Sequence, residues 1–185
     1  TVRESNNQNF NFDNYKPLKN IKIGIINYDM GNQHSLLHTL EHLGARAFIS
    51  NKKSELDKAD IIALPGVGAF PTGMKNLKKL ELDYYIKDKV LKGFPLLGIC
   101  LGMQMLFENS SEFTSTDGLN LIKGKVVRIN SNQAKLPHMG WNTVFMENKE
   151  IKDNFKALDN KDFYFVHSYK MVCKNKSDIL ASVSY

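Results

Sequence analysis

Cysteine is scarce in this sequence: Cys100 and Cys173 are the 2 cysteines in 185 residues. They form no CxxC pair and no Cys/His ligand spacing, so neither a disulfide framework nor a zinc signature can be read from them. Long hydrophobic runs are also missing. The longest apolar stretch, Leu96 to Phe107, is interrupted by Gly98, Gly102 and Gln104, and it falls short of the ~18 residues a membrane span needs. No apolar signal segment opens the chain. Blocks of one charge sign are absent as well. The formal charge is +6, from 25 Lys and Arg against 19 Asp and Glu, but the lysines are scattered singly and in pairs. The basic stripe with interleaved aromatics that marks a nucleic-acid surface is not there. These absences lead us to expect a cytoplasmic protein with no membrane or nucleic-acid partner and no bound metal or cofactor. What the chain does have is 42% hydrophobic content, enough for one globular core, since a single core serves chains up to roughly 200 residues.

Residues 1–20, TVRESNNQNFNFDNYKPLKN, are rich in Asn and carry no apolar period, which predicts a flexible extension. From Ile21 onward, over 21–185, the pattern is that of one folded domain. IKIGIINY (21–28) reads as a buried strand, and Gln33 to Leu43 as a helix with Leu36, Leu40 and Leu43 on one face, stopped by Gly44. ARAFIS and DIIALPG predict two further strands with a short lysine-rich helix between them, LDYYIKDKVLKG another helix, and PLLGI a fourth strand. Near-continuous apolar strands alternating with helices predict an α/β fold with a mostly parallel central sheet and helices on both faces. Beyond Gly118, the segments KGKVVRI, NTVFM and FYFVHSYKMV predict an antiparallel extension of that domain.

In such a sheet, ligands bind where strand carboxyl ends meet helix amino ends. Cys100 falls at such a junction: PLLGI precedes it, the helix-compatible LGMQMLFE follows, and Gly98 and Gly102 flank it at two residues' distance. This is the pattern of a nucleophile elbow, in which small neighbours let the backbone turn sharply and lift the nucleophile from the sheet. A thiol at a helix amino end is favoured as thiolate, and the Leu101 N–H is placed to receive an oxyanion. A second glycine loop, LPGVGAFPTG (64–73), follows the strand DIIAL. It permits close backbone approach to a ligand but lacks the GK[ST] ending of a phosphate loop. His34, His38 and His42 recur at four-residue spacing, opposite the leucine face of their helix, and read as a solvated stripe.

Taken together, IINYDMGN (25–32), PGVGAF (65–70), GICLGMQMLFE (98–108), LPHMGW (136–141) and YFVHSY (164–169) resemble, in order, the glutaminase subunits of imidazole glycerol phosphate synthase, within the class I glutamine amidotransferases. The resemblance implies a flavodoxin-like amidotransferase fold and a glutaminase that forms a thioester at Cys100. It implies delivery of ammonia to a (β/α)8-barrel cyclase in a histidine-biosynthesis heterodimer. It assigns the oxyanion hole to backbone N–H groups of Leu101 and of Val67 or Gly68, and glutamine binding to Gly68, Gln104, Glu112, Ser168 and Tyr169. An ammonium suits a carboxylate, and an amide and carboxylate suit Gln, Ser and backbone donors. His138, Met139 and Trp141 are implied at the face that docks the partner. Relatives of such subunits also feed ammonia to surface-sugar amidotransferases, and a non-catalytic docking or regulatory subunit is a further alternative.

One departure stands out. A thiolate attacking an amide needs a general acid for the departing ammonia, and the family carries its catalytic His and Glu in a His-Pro-Glu motif near the C-terminus. Residues 1–185 contain no such motif. The expectation is therefore of a C-terminally incomplete domain with impaired activity. His167, polar in an apolar strand, is a weaker substitute as base and reads as a structural neighbour of the glutamine pocket.

Overall fold

The computed structural model describes residues 18–130, 135–147, 155 and 157–185. These fall into two compact units, the larger spanning 18–128 and 169–175 and the smaller taking most of the rest.

The larger unit is built on four parallel strands, β1 (Lys22–Ile26), β2 (Arg46–Ser50), β3 (Ile61–Leu64) and β4 (Leu96–Gly98), in the order β2-β1-β3-β4. Successive side chains on a strand point to opposite faces, and here both faces are apolar. Ile23, Ile25 and Ala63 pack on one side with Leu36, Leu37 and Leu40 of α1 (Gln33–His42). Ile26, Ile62 and Leu64 pack on the other with Leu56 of α2 (Lys53–Leu56), Phe70, Met74 and Leu77 of α3 (Phe70–Lys79), and Leu82 and Ile86 of α4 (Leu82–Leu91). Each such residue taken out of water contributes about 1.5–3 kcal/mol, so the two-faced pattern holds helices against both sides of the sheet. Asn32 caps α1, its side chain accepting from the Ser35 N–H at 3.1 Å, and Gly44 follows the helix with φ +89°. His34, His38 and His42 are exposed on α1. Among the described residues no helix is long and apolar enough to cross a membrane, and no cluster of His, Cys, Asp and Glu is arranged to hold a metal ion.

The stretch after Cys100 departs from the expected helix. Only Leu101–Gln104 is helical (α5), and Phe107–Ser110 is a strand, β5. The backbone there is recruited by the following segment: Leu121 and Ile122 donate N–H groups to Leu106 O at 2.8 and 3.0 Å, and Leu119 donates to Met105 O at 2.8 Å. Tertiary pairing thus overrides a modest helix propensity. Strand β5 lies between β6 (Thr116–Asp117), antiparallel, and β7 (Ile122–Arg128), parallel.

The expected single strand FYFVHSYKMV is two. In the smaller unit, β8 (His138–Met146) pairs antiparallel with β9 (Lys161–His167). At Ser168 the chain leaves that sheet, and β10 (Tyr169–Cys173) pairs with β7 in the larger unit. β11 (Ala181–Val183) completes a three-stranded sheet in the order β11-β8-β9. Of residues 1–20, only 18–20 fall among the described residues. Leu18 donates its N–H to Leu43 O at 2.8 Å and packs with the α1-side core.

Candidate active site

Cys100 stands on a tight turn between β4 and α5. The Gly102 N–H donates to Ile99 O at 3.0 Å, and Cys100 has φ 54° and ψ −117°. These are the dihedrals of the first central residue of a type II′ turn, a position that favours glycine. A cysteine held there stores strain of order 1–3 kcal/mol, a cost that clusters at functional sites. The thiol is exposed and unpaired. The flanking glycines are spatial requirements: a Cβ on Gly102 would collide with Leu64 O, and one on Gly98 with the Met103 backbone. Exposure and turn geometry are what set the thiol apart.

The glycine loop lies beside this turn. Leu101 donates its N–H to Gly66 O at 3.3 Å, so the donor expected to receive an oxyanion is engaged by a carbonyl. Neither the Val67 nor the Gly68 N–H enters a backbone hydrogen bond among the described residues. Val67 is 58% exposed, and Gly68, with φ +106°, sits on the Met30 side chain. Both ends of the loop are held. At one end, the fully buried Tyr28 donates its hydroxyl to Pro65 O at 2.7 Å. At the other, the Glu112 carboxylate accepts from the Phe70 N–H at 2.8 Å and so caps α3. Burial first, and the charge of Cys100 second, push the Tyr28 hydroxyl above its ordinary range. Tyr28 is the residue the sequence reading missed. Its signal was a tyrosine just past the carboxyl end of the first buried strand, where sites of this fold form.

Glu112, expected to hold an ammonium, thus has one oxygen committed to a helix end. A charge-assisted hydrogen bond of this kind contributes about 1.5–3 kcal/mol. Glu112→Ala is expected to lower the melting temperature by about 4–10 °C, given ~2–4 °C per kcal/mol at this chain length. A scanning calorimetry trace that coincides with the unsubstituted protein would remove the cap from the account. Gln104, half-buried, lies one turn beyond the nucleophile, with its N–H on Cys100 O at 3.1 Å. Tyr169 opens β10 opposite Arg128 and packs against the larger core. The larger unit therefore gathers Cys100, Leu101, Val67, Gly68, Gln104, Glu112 and Tyr169. Ser168, whose carbonyl accepts from the Ile129 N–H at 2.9 Å, belongs to the smaller unit, as do His138, Met139, Trp141 and His167.

His138 and His167 are paired with each other, Nδ1 to Nε2 at 3.0 Å. His138 is 3% exposed and is stacked between Phe165 and Tyr185. Burial, and secondarily the charge of His167, hold its imidazole below the ordinary histidine value. Of the three residues expected at a docking face, His138 points to the opposite side of β8 from Met139 and Trp141, which are 60% and 63% exposed.

A family model described as "Glutamine amidotransferase class-I" matches residues 25–183. The chain belongs to the class I glutamine amidotransferases. This amidotransferase is 44% identical over 164 residues to "Imidazole glycerol phosphate synthase subunit HisH" of Lactococcus lactis subsp. lactis (strain IL1403), covering 89% of this chain and 80% of that one. It is 44% identical over 168 residues to the protein of that name from Bacillus subtilis (strain 168), covering 88% and 78%. Among solved structures, "Structure of PurLQS from Thermotoga maritima" aligns with a TM-score of 0.67 at 17% identity, covering 89% of this chain and 75% of that one. "Crystal structure of glutamine amidotransferase" aligns with a TM-score of 0.65 at 18% identity, covering 86% and 78%. At such identities the likeness shows the fold, α/β with a parallel sheet and an antiparallel one, and the amidotransferase carries it.

Proposed function

We propose that this amidotransferase is the glutaminase subunit of an imidazole glycerol phosphate synthase, hydrolysing glutamine and supplying ammonia to a (β/α)8-barrel cyclase in histidine biosynthesis. The observation that carries the chemistry is the exposed Cys100 thiol on its strained turn beside the 66–69 loop. In this reading Cys100 Sγ attacks the side-chain amide carbon of glutamine, the C–N bond breaks to release ammonia, and water hydrolyses the thioester to glutamate and free thiol. Within the larger unit, Gly68, Gln104, Glu112 and Tyr169 are the residues proposed to hold the amino acid. The proton for the departing ammonia must come from a general acid, and residues 1–185 offer no His-Pro-Glu motif.

The Leu101 N–H bonded to Gly66 O implies a resting state with the oxyanion hole closed. Turning the Gly66–Val67 peptide would withdraw that carbonyl from Leu101 and present the Val67 N–H beside it, giving two donors. The Val67 side chain, 58% exposed, meets little resistance on turning. A partner that binds the turned form better would raise the glutaminase rate by that difference in affinity.

A docking surface is available on the smaller unit. Across β8 and β9, Met139 stands opposite Val166 and Trp141 opposite Tyr164. All four are at least 55% exposed, and the two ring systems meet edge-on with centroids 5.7 Å apart. Because Trp141 is the 1 tryptophan in the chain, its emission reports directly on this face. Titration with a barrel-type cyclase is expected to shift Trp141 emission, and glutamine to slow iodoacetamide alkylation of Cys100. A central aromatic anchor contributes ~2 kcal/mol or more, so Trp141→Ala should weaken the complex by about 30-fold. An unchanged emission, together with alkylation indifferent to glutamine, would sink the proposal.

A further inference from the structure

We infer that Tyr28 is a positioning residue for the oxyanion-hole loop: its hydroxyl fixes the Pro65 carbonyl so that only the Gly66–Val67 peptide turns. The inference rests on the glutaminase reading for its catalytic meaning, but its structural content is independent. Tyr28 is 0% exposed and is held at both ends. Its hydroxyl donates to Pro65 O at 2.7 Å, and its own carbonyl accepts from the Asn76 side-chain amide at 3.0 Å. The ring therefore runs as a strut from α3 to the residue that opens the glycine loop. Gly66 is pressed against the same hydroxyl: a Cβ there would collide with Tyr28 Oη and meet Leu101 Cβ at 3.0 Å. The next carbonyl, Gly66 O, is the one that accepts from Leu101.

The consequence for catalysis follows from which bonds must move. Opening the hole needs opposite rotations about Gly66 ψ and Val67 φ, which turn one peptide while leaving its neighbours in place. With Pro65 O tied to Tyr28, and the Phe70 N–H tied to Glu112 at 2.8 Å, the stretch between is a bridge with fixed ends and a single turning peptide. Without the hydroxyl, Pro65 O is left buried and unpaired. Orphaned buried carbonyls seek other partners, so the Pro65–Gly66 peptide gains freedom to rotate. The Leu101 N–H then faces a wandering carbonyl, and the turned state no longer has defined geometry.

Tyr28→Phe removes the hydroxyl and keeps the ring. Amide hydrogen exchange on the full chain is expected to show Leu101 losing at least about tenfold in protection through local opening. Ile25 and Ala63, in the sheet, should keep theirs. In the complex with the cyclase, kcat should fall by about 10–100-fold with KM for glutamine unchanged, a fraction of the ~10²–10³ lost with one oxyanion donor. Unchanged Leu101 protection overturns the inference whatever happens to turnover. Equal losses at Leu101, Ile25 and Ala63 overturn it as well, because they would mean global destabilisation. If glutamine does not slow alkylation of Cys100 in the unsubstituted complex, the glutaminase reading fails while the exchange data still decide the role of Tyr28.

Discussion

Cys100→Gly is expected to abolish glutamine hydrolysis and, at the same time, to raise the melting temperature. The two effects have one cause. A nucleophile must stand clear of the sheet, and here it does so at φ 54° and ψ −117°, a conformation that suits glycine and costs a cysteine about 1–3 kcal/mol. Glycine at the same position is free of that cost. At ~2–4 °C per kcal/mol, the variant should melt several degrees higher. Turnover should fall by at least ~10⁴-fold, as for other enzymes that lose their nucleophile. Cys100→Ala separates the two contributions, because it removes the thiol and keeps the strain. Its turnover should match that of Cys100→Gly, with a melting temperature near the unsubstituted protein. Should Cys100→Gly melt no higher than Cys100→Ala, the turn is unstrained at residue 100 and the physical case for an elbow is lost.

The parallel sheet and the elbow were legible because each rests on a local signal. Apolar residues or glycine at every position of β3 and of β1 after Lys22 can be buried only between two layers, and Ile23, Ile25 and Ala63 do face one layer while Ile26, Ile62 and Leu64 face the other. Gly98 and Gly102 around Cys100 could be read as a demand for space, and the carbonyl and backbone that fill that space are Leu64 and Met103. What stayed hidden depends on partners distant in sequence. The helical stretch stops at Gln104, and just beyond it Leu119 claims the Met105 carbonyl and Leu121 and Ile122 the Leu106 carbonyl. Ser168 divides an apolar run between two sheets because the residues on either side of it pair with β8 and β7. No sequence pattern records that the Leu101 N–H bonds Gly66 O, since the orientation of one peptide leaves no trace in side-chain identity. His138 is a different case. The alternation along β8 places it opposite Met139 and Trp141, so its burial could have been read from the strand period alone.

Gly102→Ala is expected to be the most destabilising single-methyl change in the larger unit. Gly102 has an ordinary negative-φ backbone, so its lack of a side chain answers to space. A Cβ there would run into Leu64 O, and that carbonyl is the acceptor for the Ile99 N–H at 3.0 Å. A clash with a flexible side chain can be relieved by a rotamer change. Here one backbone meets another, and relief requires β3 and the elbow to part. That would break the Ile99–Leu64 bond, strain the type II′ turn and loosen the packing of Leu64 and Leu101, both buried to within 2%. Overpacking of this kind costs about 3 kcal/mol or more, or a melting temperature lower by roughly 6–12 °C. Gly93 supplies the converse test. It has φ +84° with nothing within 4 Å of a built Cβ, so Gly93→Ala should lose only the ~1 kcal/mol of left-handed strain. The ratio of the two losses, read from chemical denaturation at equal slope, separates steric demand from backbone conformation. Equal losses for the two variants would mean that Leu64 O yields to the added methyl, and that the close approach of β3 to the elbow is not what requires glycine at position 102.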